Sequence, residues 1–160
     1  MNQQKVNWQA LPYQALSRDQ LYAILQARVA VFVVEQDCPY QDVDGLDDEG
    51  IHVTGSTDSG EVVAYARVLA PGQRFAEPSI GRVLTTATGR GKGLGRALME
   101  QSLRVTEKHF PGQAIRISAQ QHLERFYASL GFETVRGPYP EDGIPHLEML
   151  RPVSLSSWDS

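Results

Sequence analysis

The run Arg90-Gly91-Lys92-Gly93-Leu94-Gly95-Arg96-Ala97-Leu98 constrains this chain more than any other stretch. An apolar, strand-like segment precedes it, Ile80-Gly81-Arg82-Val83-Leu84, and a helical pattern follows, with Leu94, Leu98, Ser102 and Val105 on one face. A strand therefore has to become a helix through alternate glycines. Glycine allows a ligand close to the backbone and takes dihedrals closed to other residues. A helix starting in such a loop points its unpaired N–H groups and positive dipole end into it. Arg90, Lys92 and Arg96 add full charges, and the ligand that fits this combination is a phosphate.

Two well-known phosphate loops are excluded by spacing. G-x-G-x-x-G fails because Arg96 stands at its third glycine, and G-x-x-x-x-G-K-[ST] does not occur. What remains is R-x-x-G-x-G at Arg90, Gly93 and Gly95, or a glycine-rich turn with solvated arginines. Downstream, Phe110-Pro111-Gly112 stops a helix over about 94–109. A strand over 114–119 follows, then a second helix carrying Leu123, Phe126, Tyr127 and Leu130, closed by Gly131, and a strand over 132–135.

The R-x-x-G-x-G run resembles the acyl-CoA pyrophosphate loop of the GNAT N-acyltransferase superfamily. Phe126-Tyr127-Ala128-Ser129-Leu130-Gly131-Phe132 is similar to the F-Y-x-x-x-G-F ending of its acyl-CoA core. The segments 31–44 and 141–146 resemble the ElaA subgroup, and the likeness spans about Trp8 to Arg151. It implies an α+β fold, a mainly antiparallel sheet with helices on both faces, whose two central strands splay around the pantetheine arm. It also implies acetyl-CoA as cosubstrate and an amine acceptor attacking directly in a ternary complex. Arg90, Gly91, Lys92, Gly93, Leu94, Gly95 and Arg96 would then hold the pyrophosphate, and Val83, Leu84 and Thr85 the pantetheine and thioester. Tyr127 matches the family's general acid near the CoA sulfur. Periodicity alone allows it to be a core aromatic beside Leu123 and Phe126.

Many relatives carry a glutamate base on the strand before this loop, but Ser79-Ile80-Gly81-Arg82-Val83-Leu84 has no carboxylate. The candidates are His52, His146, Glu35 and Asp44, or water relays the proton. Arg28, Arg67 and Arg82 lie among apolar residues, with Glu35, Asp42 and Asp44 as available partners. They form an internal ion-pair network or, with Asp44, a substrate-binding clamp. Asp47, Asp48 and Glu49 read as a solvated face. Cys38 reads as a bystander, His122 as a possible helix cap, and His109 as a residue at a helix end.

At 160 residues the chain reads as one domain over 1–153, with a mobile tail at 154–160. No apolar run of about 18 residues occurs and the start lacks a signal-peptide pattern, so a cytoplasmic protein without membrane partners is expected. A net charge of −4 argues against nucleic acid, the single cysteine excludes a disulfide framework, and the histidines lack zinc-site spacing, so no metal is expected. Ser17 with Gln20 forms a capping box before a helix whose end is blurred by Val29, Val31, Val33 and Val34. A first strand over 6–10, a hairpin over 51–69, loops over 71–78 and 137–145, and a last strand over 146–150 complete the reading. Acceptor recognition is expected in the loops 33–52, 71–78 and 137–146. The segment Arg28–Phe32 with the acidic loop faintly resembles acyl-homoserine-lactone synthases, which use S-adenosylmethionine and an acyl-carrier protein. A CoA-binding sensor without turnover is a further alternative, and both a monomer and a homodimer are compatible with the sequence.

Overall fold

Alternation along one strand organises the molecule. The computed structural model describes residues 5–153; the tail at 154–160 lies outside them. Strand β3 (Val62–Leu69) is buried along its whole length. Ala64, Ala66 and Val68 join one apolar cluster, and Tyr65 joins another. Opposite faces of a strand alternate, so β3 needs cover on both sides. Helix α2 (Leu94–His109) supplies it on one face with Leu98, Met99 and Leu103. Helix α1 (Arg18–Arg28) supplies it on the other with Ile24 and Ala27. Two buried hydroxyls on α2 are satisfied within the helix: Ser102 donates to the Leu98 carbonyl at 2.8 Å, and Thr106 to the Ser102 carbonyl at 2.7 Å.

Seven strands make one sheet in the order β1-β2-β3-β4-β5-β7-β6. The others are β1 (Asn7–Pro12), β2 (Ile51–Ser56), β4 (Ser79–Thr85), β5 (Ile115–Gln120), β6 (Glu133–Glu141) and β7 (Ile144–Arg151). Every pairing is antiparallel except β4 with β5. Those two strands meet only at Ser79 and Arg116 and then separate. The junction is pinned by Arg116, which reaches both Glu77 carboxylate oxygens at 2.9 Å and Glu148 at 2.7 Å. The mixed sheet with helices on both faces is the expected fold class.

Two local expectations are corrected. Residues 137–145 are not a loop: β6 and β7 pair through them and turn at Asp142-Gly143, whose φ angles are +51° and +78°. Two successive left-handed residues are the tight hairpin turn that matches strand twist. Gly137, Pro138 and Pro140 read as loop by composition, but β6 is an edge strand, where missing N–H donors are tolerated and discourage edge-to-edge pairing. The second core helix, α3, is also shorter, Glu124–Ala128, preceded by a 3-10 turn at Gln121–Leu123.

The capping box forms, with Ser17 Oγ accepting from the Gln20 N–H at 3.0 Å and the Gln20 side chain accepting from the Ser17 N–H at 2.8 Å. Beyond α1 the chain widens into a π-helical segment, Val29–Glu35. Four β-branched valines crowd an α-helix there, and the wider turn relieves them. It buries Val31 and Phe32 and leaves Glu35 exposed. Among the described residues no helix is long and apolar enough to cross a membrane.

Candidate active site

The separation of β4 and β5 opens a cleft of about 300 Å³. Its walls include Ile80 to Thr85, Ile117 to Gln120, Phe32, Tyr127, Arg90 and the hairpin residues Glu141 to His146. The β4 wall carries a bulge: Gly81 pairs with Arg67 and Leu84 with Tyr65, so Arg82 and Val83 share one partner position at Ala66. A bulge leaves its extra residue outside the ladder, here at the cleft wall. Arg82 takes φ +52°, a left-handed conformation costing a non-glycine residue about 1–2 kcal/mol. Its side chain compensates through Asp42 Oδ1 at 3.0 Å, Asp44 Oδ2 at 3.2 Å and the face of Tyr40.

The glycine loop stands beside this wall. Gly91 and Gly93 have φ of +80° and +71°, and a Cβ at either would meet nothing within 4 Å. The loop is an open cradle, not a packed turn. Gly93, which has no side chain, stands at the N-cap of the 16-residue helix α2, and among the described residues no side-chain cap bond forms there. Arg90 bonds the Thr85 carbonyl at 2.8 Å and Glu35 at 2.6 Å, Lys92 reaches the Thr88 carbonyl at 3.3 Å, and Arg96 bonds Ser129 at 2.7 Å. Backbone donors, a helix dipole and three cations around open space suit the diphosphate of CoA.

Tyr127 lines the cleft and is 5% exposed. It also packs edge-on against Phe126 and Phe132, so the core and cleft readings hold together. Burial pushes its hydroxyl up to about 12. Val83, Leu84 and Thr85 line the same cleft.

The candidate bases separate. His146 is in the cleft, and its Nδ1 lies 2.7 Å from the Ile144 carbonyl. A carbonyl only accepts, so Nδ1 carries the proton and Nε2 faces Glu141 Oε2 at 3.4 Å. Glu141 also accepts from Ser118 Oγ at 3.2 Å and from Arg74 at 2.8 Å. His52 is not brought to this cleft. It is 1% exposed and is held between the Tyr65 hydroxyl at 2.7 Å and the Asp47 carbonyl at 2.9 Å. Glu35 is committed to Arg90 and does not join Arg28, Arg67 or Arg82. His122, expected as a cap, makes no capping bond and sits at the cleft rim.

Of the two readings for Arg28, Arg67 and Arg82, burial favours the ion-pair network for Arg28 and Arg67, while Arg82 lines the cleft wall. Arg28 is fully buried, on Asp42 at 2.9 Å and Asp47 at 2.7 Å. Arg67 is 1% exposed, with Asp44 and Asp47 each at 2.8 Å. Burial works against the charges of Asp44 and Asp47, but hydrogen bonds from the arginines outweigh it and hold both carboxyls below their usual range. Asp47 is therefore an interior anion shared by two guanidinium groups and not part of a solvated face. The network ties the loop 37–50 to the sheet. Cys38 is buried at the cleft edge and donates to the Asp142 carbonyl at 3.4 Å. Among the described residues no cluster could hold a metal ion.

Glu141, Ser118 and Arg74 were not singled out by sequence. Glu141 sits in the 141–146 segment, where a two-residue turn at Asp142-Gly143 pairs it with Ile144 and so puts it on the face of His146; Arg74 carries no sequence signal.

A splayed β4–β5 pair beside a glycine-rich turn is the frame of an acyltransferase fold. The profile of the acetyltransferase (GNAT) domain matches residues 10–151, and the chain belongs to that family. It is 45% identical over 150 residues to Protein ElaA of Escherichia coli, covering 92% of this chain and 97% of that one. The ElaA crystal structure superposes with a TM-score of 0.86 at 44% identity, covering 92% and 99%. An acyl-CoA N-acyltransferase from Pseudomonas aeruginosa gives 0.87 at 41% identity, again covering 92% and 99%. The acyl-homoserine-lactone synthase LasI, at 0.74 and 16% identity over 94% and 90%, shares the fold alone.

Proposed function

We propose that the protein transfers an acetyl group from acetyl-CoA to the primary amine of a small molecule, with donor and acceptor bound together. One observation carries the reading: a single cleft reaches Arg90 at the phosphate cradle and Glu141 with His146 at its other side, and Tyr127 lies in its wall.

Acetyl-CoA supplies the acyl group already activated as a thioester. The N–H groups of Leu94, Gly95 and Arg96 hold the diphosphate at the head of α2. Backbone at the Arg82–Val83 bulge orients the pantetheine and polarises the acyl carbonyl; a backbone donor of this kind typically lowers a barrier by about 3 kcal/mol. His146 Nε2 and Glu141 take the ammonium proton, so that the amine attacks with a lone pair. Tyr127 gives its proton to the departing sulfur. A phenol raised to about 12 would donate poorly to a thiolate whose acid kept its aqueous value near ~8.5. The apolar wall that raises the phenol raises the thiol as well, which brings the two closer to balance.

The test is a thermal-shift titration with acetyl-CoA, with NAD and ATP as controls. Ligand at about 100 times Kd stabilises by roughly 2.7 kcal/mol. A selective upward shift supports the donor site, and its absence at millimolar acetyl-CoA removes it. CoA release over an amine panel then separates an enzyme from a sensor.

A further inference from the structure

The cleft's acceptor side holds an ion pair that spans its two walls. Arg74, from the loop before β4, donates to Glu141 Oε1, at the end of β6, at 2.8 Å. Both side chains line the cleft and are partly exposed, at 28% and 35%. The two other arginines of the lining are engaged elsewhere: Arg82 with Asp42 and Asp44, and Arg90 with Glu35 and the Thr85 carbonyl. Arg74 has Glu141 as its carboxylate partner among the described residues, and otherwise lies over the Phe75 ring. It passes over Gly81 of β4, where a Cβ would lie 4.0 Å from its Nη1.

We infer that this pair is the recognition element for an acceptor carrying both an amine and a carboxylate, of the amino-acid class. The inference rests on the acetyl-transfer reading. Glu141, with His146 behind it, receives the ammonium, and Arg74 receives the carboxylate. An acceptor with an amine alone brings a second cation beside Arg74 and leaves that guanidinium without its carboxylate. An acceptor with a carboxylate alone meets Glu141. A zwitterion exchanges one protein ion pair for two, each with the opposite sign facing it, and a guanidinium matches a carboxylate with two parallel hydrogen bonds. The pair can open for it because neither side chain is buried. The function sought in Arg28, Arg67 and Arg82 thus falls to Arg74.

The test uses the full chain with saturating acetyl-CoA and three matched sets of acceptors: common amino acids, their carboxamides and their decarboxylated amines. At least one amino acid is expected to exceed its carboxamide by about 100-fold in kcat/KM, the scale on which a site built for a polar group rejects an analogue lacking it. Arg74→Ala should collapse that ratio towards one, mainly through KM for the amino acid, and Arg74→Lys should restore part of it. Melting curves with acetyl-CoA on each variant report folding and donor binding separately. Carboxamides or simple amines used as well as amino acids, or a ratio unchanged in Arg74→Ala, would overturn the inference. So would acetyl-CoA stabilisation with no amino acid acetylated. No stabilisation by acetyl-CoA is instead the failure of the donor reading beneath it.

Discussion

Two arginine–carboxylate clusters stand on the same sheet and do opposite work. In the first, Arg28 and Arg67 are sealed from solvent against Asp42, Asp44 and Asp47, and Arg82 joins Asp42 and Asp44 at the partly exposed edge of the network. In the second, Arg74 and Glu141 meet at the cleft and remain partly open, with buried His146 beside Glu141. Residue type does not separate them; saturation and solvent do. A buried guanidinium must be neutralised by the fold itself, because an unpaired buried charge is too costly to await a ligand. A half-exposed pair is worth little to stability and can be exchanged for a ligand. The first cluster anchors a long acidic loop, and the second can recognise.

The sharpest test of that division is to remove one carboxylate from each cluster. Asp47→Ala strips a partner from both Arg28 and Arg67 and should cost about 3–5 kcal/mol in a urea melt, the usual penalty for breaking a buried pair. A cost below about 1 kcal/mol would mean water or another acceptor reaches the interior. Glu141→Gln should change stability by less than about 1 kcal/mol, its pair with Arg74 being partly exposed. It should lower kcat by about 100-fold or more if the carboxylate helps take the amine's proton. An undiminished rate would leave His146 or water as the proton acceptor.

Acid sharpens the same contrast. Asp44 and Asp47 are held below 3.8, so their contribution is complete above that value and is lost as pH falls through their folded range. His52 is pushed below 6.5, mainly by burial, so the unfolded ring binds its proton first and stability already declines as pH drops through 6.5. Denaturation followed from pH 8 downward should show an early shallow loss and a later steep one. His52→Gln should flatten the first and leave the second. A steep limb that survives Asp47→Asn unchanged would exclude the interior carboxylates as its cause.

The limits of the sequence follow from this contrast as well. Elements fixed by local signals were legible: the Ser17–Gln20 box, the 16-residue helix after the glycine loop, the β2–β3 hairpin, and Tyr127 on its apolar stripe. The three internal arginines were visible because charge among β-branched neighbours demands a partner. Their role was not, because Asp47 sits beside Asp48 and Glu49 in an acidic run, and nothing local shows that the chain turns it inward. Arg74 and Glu141 lie 67 residues apart and meet at the cleft between the diverging β4 and β5. Long-range pairing across a cleft leaves no periodicity to read. The β6 strand hid for another reason, since Gly and Pro obey different rules at a sheet edge.

The smallest expected effect concerns the Arg90–Glu35 ion pair beside the proposed phosphate cradle. Arg90 and Glu35 are 45% and 37% exposed, so their bond contributes at most about 1 kcal/mol, and Glu35→Gln should barely move the melting temperature. The same substitution removes an anion beside a site for anions. Acetyl-CoA should bind a few-fold tighter at low ionic strength, and the gain should fade by about 0.5 M salt, where screening lengths shrink to a few ångströms. A kcat reduced by a hundredfold would instead return Glu35 to the catalytic candidates. Weaker acetyl-CoA binding would show that Glu35 helps the donor by holding Arg90 against the Thr85 carbonyl, and the exposed pair would then belong with the anchoring cluster rather than the exchangeable one.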